Sequence, residues 1–402
     1  MTALRDDPLH ELGPMNRARI YAEMREQMPV YKSSVFAAWV LTRYADVDAI
    51  LRHPDALASE LAPFLRSLSQ RGKLDLSSLI EVSSAISFFV RPPGHDGVRR
   101  MLNRALAGIW RMNLSELLER RADHLLTLGE RNGAIDLAGG YGRLLALFVI
   151  GTFLGVPEDD LPELSALARD LMAVFERIVL SLSTVIKLDK CAAVLLDYFT
   201  RLIASRRKNS GDDGASLMVR LADEHLGCSD RELAGYCTFF FIAAEETTAA
   251  AICGAVLILL QHRSLRERLL SDPSQLPHAV GEMLRLVSPV QFVSRELRVD
   301  INLEGHLIRA GERIVLMLGA ANRDPAAFSN PDEPVLDRTG PEALPFAVGP
   351  YRCIGAQLAT FEVELAIRKL LERPHIQLSP DSPVWIDRMN IAPLLQLKAC
   401  FT

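Results

Sequence analysis

Residues 345–355 read PFAVGPYRCIG, and this stretch decides the reading of the whole chain. Cys353 stands in it with Gly349 before it and Gly355 after it. A single cysteine is most often a small buried hydrophobe. Here small, flexible neighbours free the backbone to turn, so that amides can be aimed at the sulfur. Donors around sulfur stabilise the thiolate, the form that ligates a metal. The other cysteines, Cys191, Cys228, Cys237, Cys253 and Cys400, have spacings that suit no zinc site. They read as reduced structural thiols.

Outward from the loop, further stretches carry information. Residues 29–51, PVYKSSVFAAWVLTRYADVDAIL, read as a strand pair running into a helix. Residues 92–100, PPGHDGVRR, put His95 and Arg99 four apart, on one helix face. Residues 241–250, FIAAEETTAA, lie inside a long apolar segment. Residues 281–295, GEMLRLVSPVQFVSR, and 320–328, AANRDPAAF, precede the cysteine loop. The loop and these stretches, in this order, resemble the cytochrome P450 superfamily over nearly the whole chain. The resemblance implies a mainly α fold with small β-sheets, the latter built from the N-terminal strands and segments such as residues 308–318. It implies haem b between a long central helix and the cysteine loop, with Cys353 as the axial thiolate ligand of the iron.

The chain has 402 residues, 49% of them hydrophobic, and a formal net charge of −5. A large core can be buried, and the negative balance argues against nucleic acid as a partner. No Pro/Gly/Ser-rich linker divides the motifs, so residues 1–402 read as a single domain. The start, MTALRDDPLH, is polar and carries acids, unlike a signal peptide or membrane anchor. The expectation is a cytoplasmic protein without a membrane partner.

Residues 238–260 are apolar apart from Glu245, Glu246 and the threonines. Length and the lack of breakers predict a buried helix. Ser229 with Glu232 three residues on forms a capping box, so the helix should start there and run to Gln261. Two carboxylates inside such a helix need partners. Glu245 reads as an acid met by solvent or a salt bridge. By the resemblance, Glu246 and Thr247 are the acid–alcohol pair of oxygen activation, the hydroxyl positioning and the acid resupplying protons. A threonine here can bond back to the carbonyl of Ala243. Ala243 and Ala244 are small enough for a flat macrocycle to approach, Ala244 replacing the family's usual glycine.

The resemblance assigns the haem propionates to His95, Arg99 and Arg295. It makes Phe346 a shield of the sulfur and Gly355 part of the ligand loop. The loop departs from the family at Ala347, commonly glycine, at Val348, often polar, and at Tyr351, where His or Arg is usual. A tyrosine gives a propionate one neutral hydrogen bond in place of a charged one, so the grip should lean on His95, Arg99 and Arg295. Glu282 and Arg285 resemble the family's structural acid–arginine pair, expected in a buried network with Arg338.

Family position places the substrate beside Phe88, Phe89, Phe240, Val290, Phe292 and Ile391, with Gln291, Arg388 and Asn390 as polar contacts. Each apolar residue singly reads equally well as plain core; as a set they fit a hydrophobic small molecule. A terpenoid, a polyketide or a substrate tethered to a carrier protein would fit. Electrons should come from a ferredoxin or flavodoxin with its NAD(P)H reductase, docking near Arg352, Arg100 and Arg104. The function implied is a haem-thiolate monooxygenase that hydroxylates or epoxidises, within secondary metabolism. The alternatives are non-oxygenating chemistry of the same family (desaturation, oxidative coupling or cyclisation) and a non-catalytic haem-binding partner protein.

Overall fold

The computed structural model describes residues 7–86, 94–176, 181–225 and 228–401. Helices predominate and the sheets are small, as the resemblance implies. The chain falls into two compact units, one of residues 1–59, 122–143 and 247–402, the other of residues 60–121 and 144–246. Each unit is assembled from segments remote in sequence, so no linker composition marks a boundary between them.

In the first unit the expected strand pair forms, Val30–Ser33 antiparallel to Ala38–Leu41, and the helix Tyr44–Arg52 follows. Ala38–Leu41 continues in parallel register to Arg313–Leu316. That strand pairs antiparallel with Val293–Leu297, and Ala56–Ala58 forms the far edge. Side chains alternate across a strand, and both faces of this sheet are covered. Ile314 and Leu316 pack with Val47, Ile50, Leu51, Ala347 and Val348. Val315 packs on the other side with Ile20, Tyr21 and Met24 of the helix Arg17–Gln27. The helix Leu276–Val287 ends at Ser288, whose φ of +40° reverses the chain toward Val293–Leu297. The helix Ala356–Leu371 follows the cysteine loop.

The described residues of the second unit form helices and loops and no strand. It includes the helices Gly94–Ala107, Leu161–Leu171 and Leu182–Lys208. The central helix spans Asp230–Gln261 and contributes residues to both units. Its capping box is in place: the Ser229 amide donates to Glu232 Oε2 at 2.8 Å and the Glu232 amide to Ser229 Oγ at 3.2 Å. By length and composition this helix could cross a membrane, yet its most apolar window is 78% buried inside the fold. A helix apolar on all sides is explained by such burial.

Candidate active site

The cysteine loop is a closed turn. The Cys353 amide donates to the Phe346 carbonyl at 3.0 Å, the Ala347 amide to Leu344 at 3.1 Å, and the Arg352 amide to Gly349 at 3.1 Å. The cysteine's own amide thus closes the loop. The first turn of Ala356–Leu371, whose amides have no partner within their helix, begins three residues on. Ala347 has φ +52° and Gly349 φ +76°, so the alanine holds a left-handed conformation that suits glycine. A Cβ at Gly349 would lie 2.3 Å from the Leu51 carbonyl oxygen. Cys353 is exposed, whereas Cys191, Cys237 and Cys253 are buried. Burial pushes the thiols of Cys191 and Cys237 up, and that of Cys253 up to about 12, so they stay protonated. Among the described residues no cluster of three or more His, Cys, Asp or Glu could hold a metal ion.

Arg295, on the strand Val293–Leu297, is 4% exposed. Its guanidinium stacks 4.9 Å over the ring of Tyr351, and Nη1 donates to the Ser294 carbonyl at 2.9 Å. Burial pushes its pKa down to about 10. Among the described residues no carboxylate pairs with it, and its Nε has no hydrogen-bond partner. A buried cation without a counter-ion is costly, and it fits a group that carries its own anion. The donor set near Cys353 thus suits a haem propionate. Tyr351 supports that cation through its ring, a role its replacement of His or Arg does not announce.

Glu282 and Arg285 form a bidentate pair, Nε to Oε1 at 2.8 Å and Nη2 to Oε2 at 2.9 Å. Arg338 Nε reaches Glu282 Oε2 at 2.8 Å, and the Val335 amide the same oxygen at 3.0 Å. Burial raises the Glu282 carboxyl, but the bonds from Arg285 and Arg338 outweigh it and hold the pKa below the ordinary 4.5. The network ties into the cysteine loop through Asn322, from the AANRDPAAF stretch. Arg285 Nη1 donates to the Asn322 carbonyl at 2.8 Å, and Asn322 Oδ1 accepts the Leu344 amide at 2.6 Å. Leu344 stands two residues before Phe346.

On the central helix, every residue from Leu233 to Leu257 is buried except Ala243, Ala244 and Thr247, which are half-buried. These residues share one face, so the helix opens only at the small pair and the threonine. Glu246, beside them, is 4% exposed. Glu245 is buried and accepts from Ser165 Oγ at 2.5 Å, with Arg169 Nη1 3.7 Å away. The salt-bridge reading fits it; the solvent reading does not. His95 is buried and its Nδ1 lies 2.9 Å from Asp96 Oδ1, while Arg99 is half-buried on the same helix. Arg100 and Arg104 are exposed. Arg352, also exposed, lies 3.3 Å from Glu342.

Of the substrate-side residues, Phe88 and Phe89 lie outside the described residues. Phe240 is buried against Phe153, ring centroids 5.3 Å apart. Val290 and Ile391 form a β-bridge, with Val290 half-buried. Phe292 packs edge-on against Phe36 at 4.8 Å within the cluster around Tyr21. That is a core position. Gln291 is not a substrate contact waiting for a partner: its side chain bonds Tyr21, Val287 and Ser288. Asn390 Oδ1 likewise accepts the Phe292 amide at 3.2 Å.

A family model described as "Cytochrome P450" matches residues 163–398. The biotin biosynthesis cytochrome P450 of Bacillus subtilis (strain 168) is 30% identical, over 90% of this chain and 91% of the relative. The mycinamicin IV hydroxylase/epoxidase of Micromonospora griseorubida is also 30% identical, over 97% of each. The crystal structure of P450BioI in complex with hexadec-9Z-enoic acid ligated acyl carrier protein is similar with a TM-score of 0.89. It is 29% identical and covers 97% of this chain and 99% of that one.

Proposed function

The chain belongs to the cytochrome P450 family, and we propose that this haem-thiolate monooxygenase hydroxylates or epoxidises a hydrophobic small molecule in natural-product biosynthesis. When bound, the haem supplies the activation of O2 and the transfer of one oxygen atom. Cys353 would hold the iron through its thiolate. Arg295, seated on Tyr351, takes a propionate, with His95 and Arg99 as the other anchors. Phe346 and Gly355 flank the sulfur, and Ala243 and Ala244 let the macrocycle approach the helix.

The observation that carries the reading is the opening of the central helix at Ala243, Ala244 and Thr247 beside the buried Glu246. Reduction of O2 to water consumes protons as well as electrons. Glu246 resupplies protons at its carboxylate, and the Thr247 hydroxyl holds the proton donor in place. Val290 and Ile391, bridged to each other, support an apolar wall for substrate, and Phe240 is proposed with them by family position. Phe292 is left out of it because its ring lies in the core. The likeness to a structure holding an acylated carrier protein supports a tethered acyl chain as one class of substrate. A ferredoxin or flavodoxin and its reductase would supply electrons, docking near Arg100, Arg104 and Arg352 in the cytoplasm.

The test is Thr247→Ala, with haem content and the reduced CO spectrum as controls. The product formed per NAD(P)H consumed should fall about tenfold or more, with the lost electrons recovered as hydrogen peroxide. Unchanged coupling would remove this role for Thr247 and favour non-oxygenating chemistry.

A further inference from the structure

We propose that Tyr21 and Arg17 on the first helix are positioning residues that fix the substrate-side wall. This rests on the reading that Val290 and Ile391 face the substrate. The two residues lie four apart on Arg17–Gln27, hence on one face. Each grips a different segment of the wall. Tyr21, 1% exposed, donates from its hydroxyl to Gln291 Oε1 at 3.0 Å. Arg17 Nη2 donates to the Arg388 carbonyl at 2.9 Å.

Gln291 is the joint between the two segments. Its Nε2 donates to the carbonyls of Val287 at 3.1 Å and Ser288 at 2.5 Å. Its amide donates to the Asn390 carbonyl at 2.7 Å, and its carbonyl accepts the Gly319 amide at 3.0 Å. The Ala392 amide returns to the Pro289 carbonyl at 3.4 Å. Val290 and Ile391, bridged to each other, stand beside these bonded residues. A Cβ at Gly319 would come within 2.2 Å of Gln291 Oε1 and 2.9 Å of Tyr21 Cε2. Gly319 therefore leaves the room this amide occupies, and Tyr21 caps its side-chain oxygen. Without that hydroxyl the buried Oε1 loses its donor, and the bridge loses one of its two anchors to the helix.

The experiment compares the holoenzyme with Tyr21→Phe, Arg17→Gln and Val290→Ala. Hydrogen exchange is followed at the Gln291 and Ala392 amides. Ferric haem is titrated with imidazole, small enough to ignore the wall, and with 4-phenylimidazole, which must fit against it. For Tyr21→Phe we expect exchange about tenfold faster at both amides. The 4-phenylimidazole affinity should change about threefold or more, with haem content and imidazole affinity unchanged. Arg17→Gln should move the same amides in the same direction. Unchanged exchange in both variants overturns the proposal. Faster exchange with unchanged 4-phenylimidazole affinity also overturns it. If Val290→Ala shifts that affinity and Tyr21→Phe does not, the wall stands and the anchoring fails. If Val290→Ala is itself silent, the wall reading fails and takes the proposal with it.

Discussion

Removing the Glu282 carboxylate should leave the chain unable to retain haem. Arg285 is 0% exposed and the Arg338 side chain 8% exposed, so Glu282→Ala strands two buried guanidiniums. It deletes three charge-assisted bonds, from Arg285 Nε, Arg285 Nη2 and Arg338 Nε, as well as the acceptor of the Val335 amide. Breaking one buried ion pair costs about 3–5 kcal/mol. The second arginine adds to that, against a total stability of about 5–15 kcal/mol for a typical domain. Because Asn322 joins Arg285 to Leu344, the disturbance reaches the segment leading into the cysteine loop. The assay is the ratio of Soret to protein absorbance after purification, with urea unfolding followed by tryptophan fluorescence. Glu282→Ala should be insoluble or nearly free of haem, and Arg338→Ala should lie between it and wild type. A soluble Glu282→Ala variant with full haem content and an unshifted urea midpoint would refute this account. The same site sets an acid limit. The folded pKa of Glu282 lies below the ordinary 4.5, so its stabilisation is present above that pH. It is lost as pH falls through the folded value.

Other outcomes follow from the loop and its cation. Ala347→Gly should raise stability by about 1 kcal/mol, since φ +52° strains an alanine and suits a glycine. Gly349→Ala should do the reverse, by about 2 kcal/mol or more, because its Cβ would meet the Leu51 carbonyl; both are read from urea midpoints. Arg295→Met should stabilise the haem-free protein by about 1–3 kcal/mol, as it deletes a buried cation with no carboxylate partner among the described residues. The same variant should lose haem faster to a scavenging apo-globin, and slower haem loss would contradict the propionate assignment.

What the sequence revealed, and what it concealed, divides along the range of the interactions. The central helix could be bounded because its capping box is local: Ser229 and Glu232 are three residues apart. Arg285 likewise sits one helical turn from Glu282, so their pairing was readable, and the cysteine loop is a contiguous run of residues. The Tyr351–Arg295 stack was hidden, because only the fold places an arginine from the Val293–Leu297 strand over a ring in the cysteine loop. Ser165 and Glu245 meet across 80 positions, and no periodicity encodes that. Phe292 and Gln291 show the strand-level limit. Family position identified the segment, but which residue faces the core depends on the helix Arg17–Gln27 laid against it.

The most direct test of the central claim is the absorbance spectrum of the reduced, CO-bound holoprotein. A strongly red-shifted Soret band, lost in Cys353→Ser, is the predicted result and establishes thiolate ligation by Cys353. A band at the position of haem with a neutral axial ligand would contradict the account. The thiolate would then be protonated or displaced, and the monooxygenase reading would yield to a haem-binding role without oxygen activation.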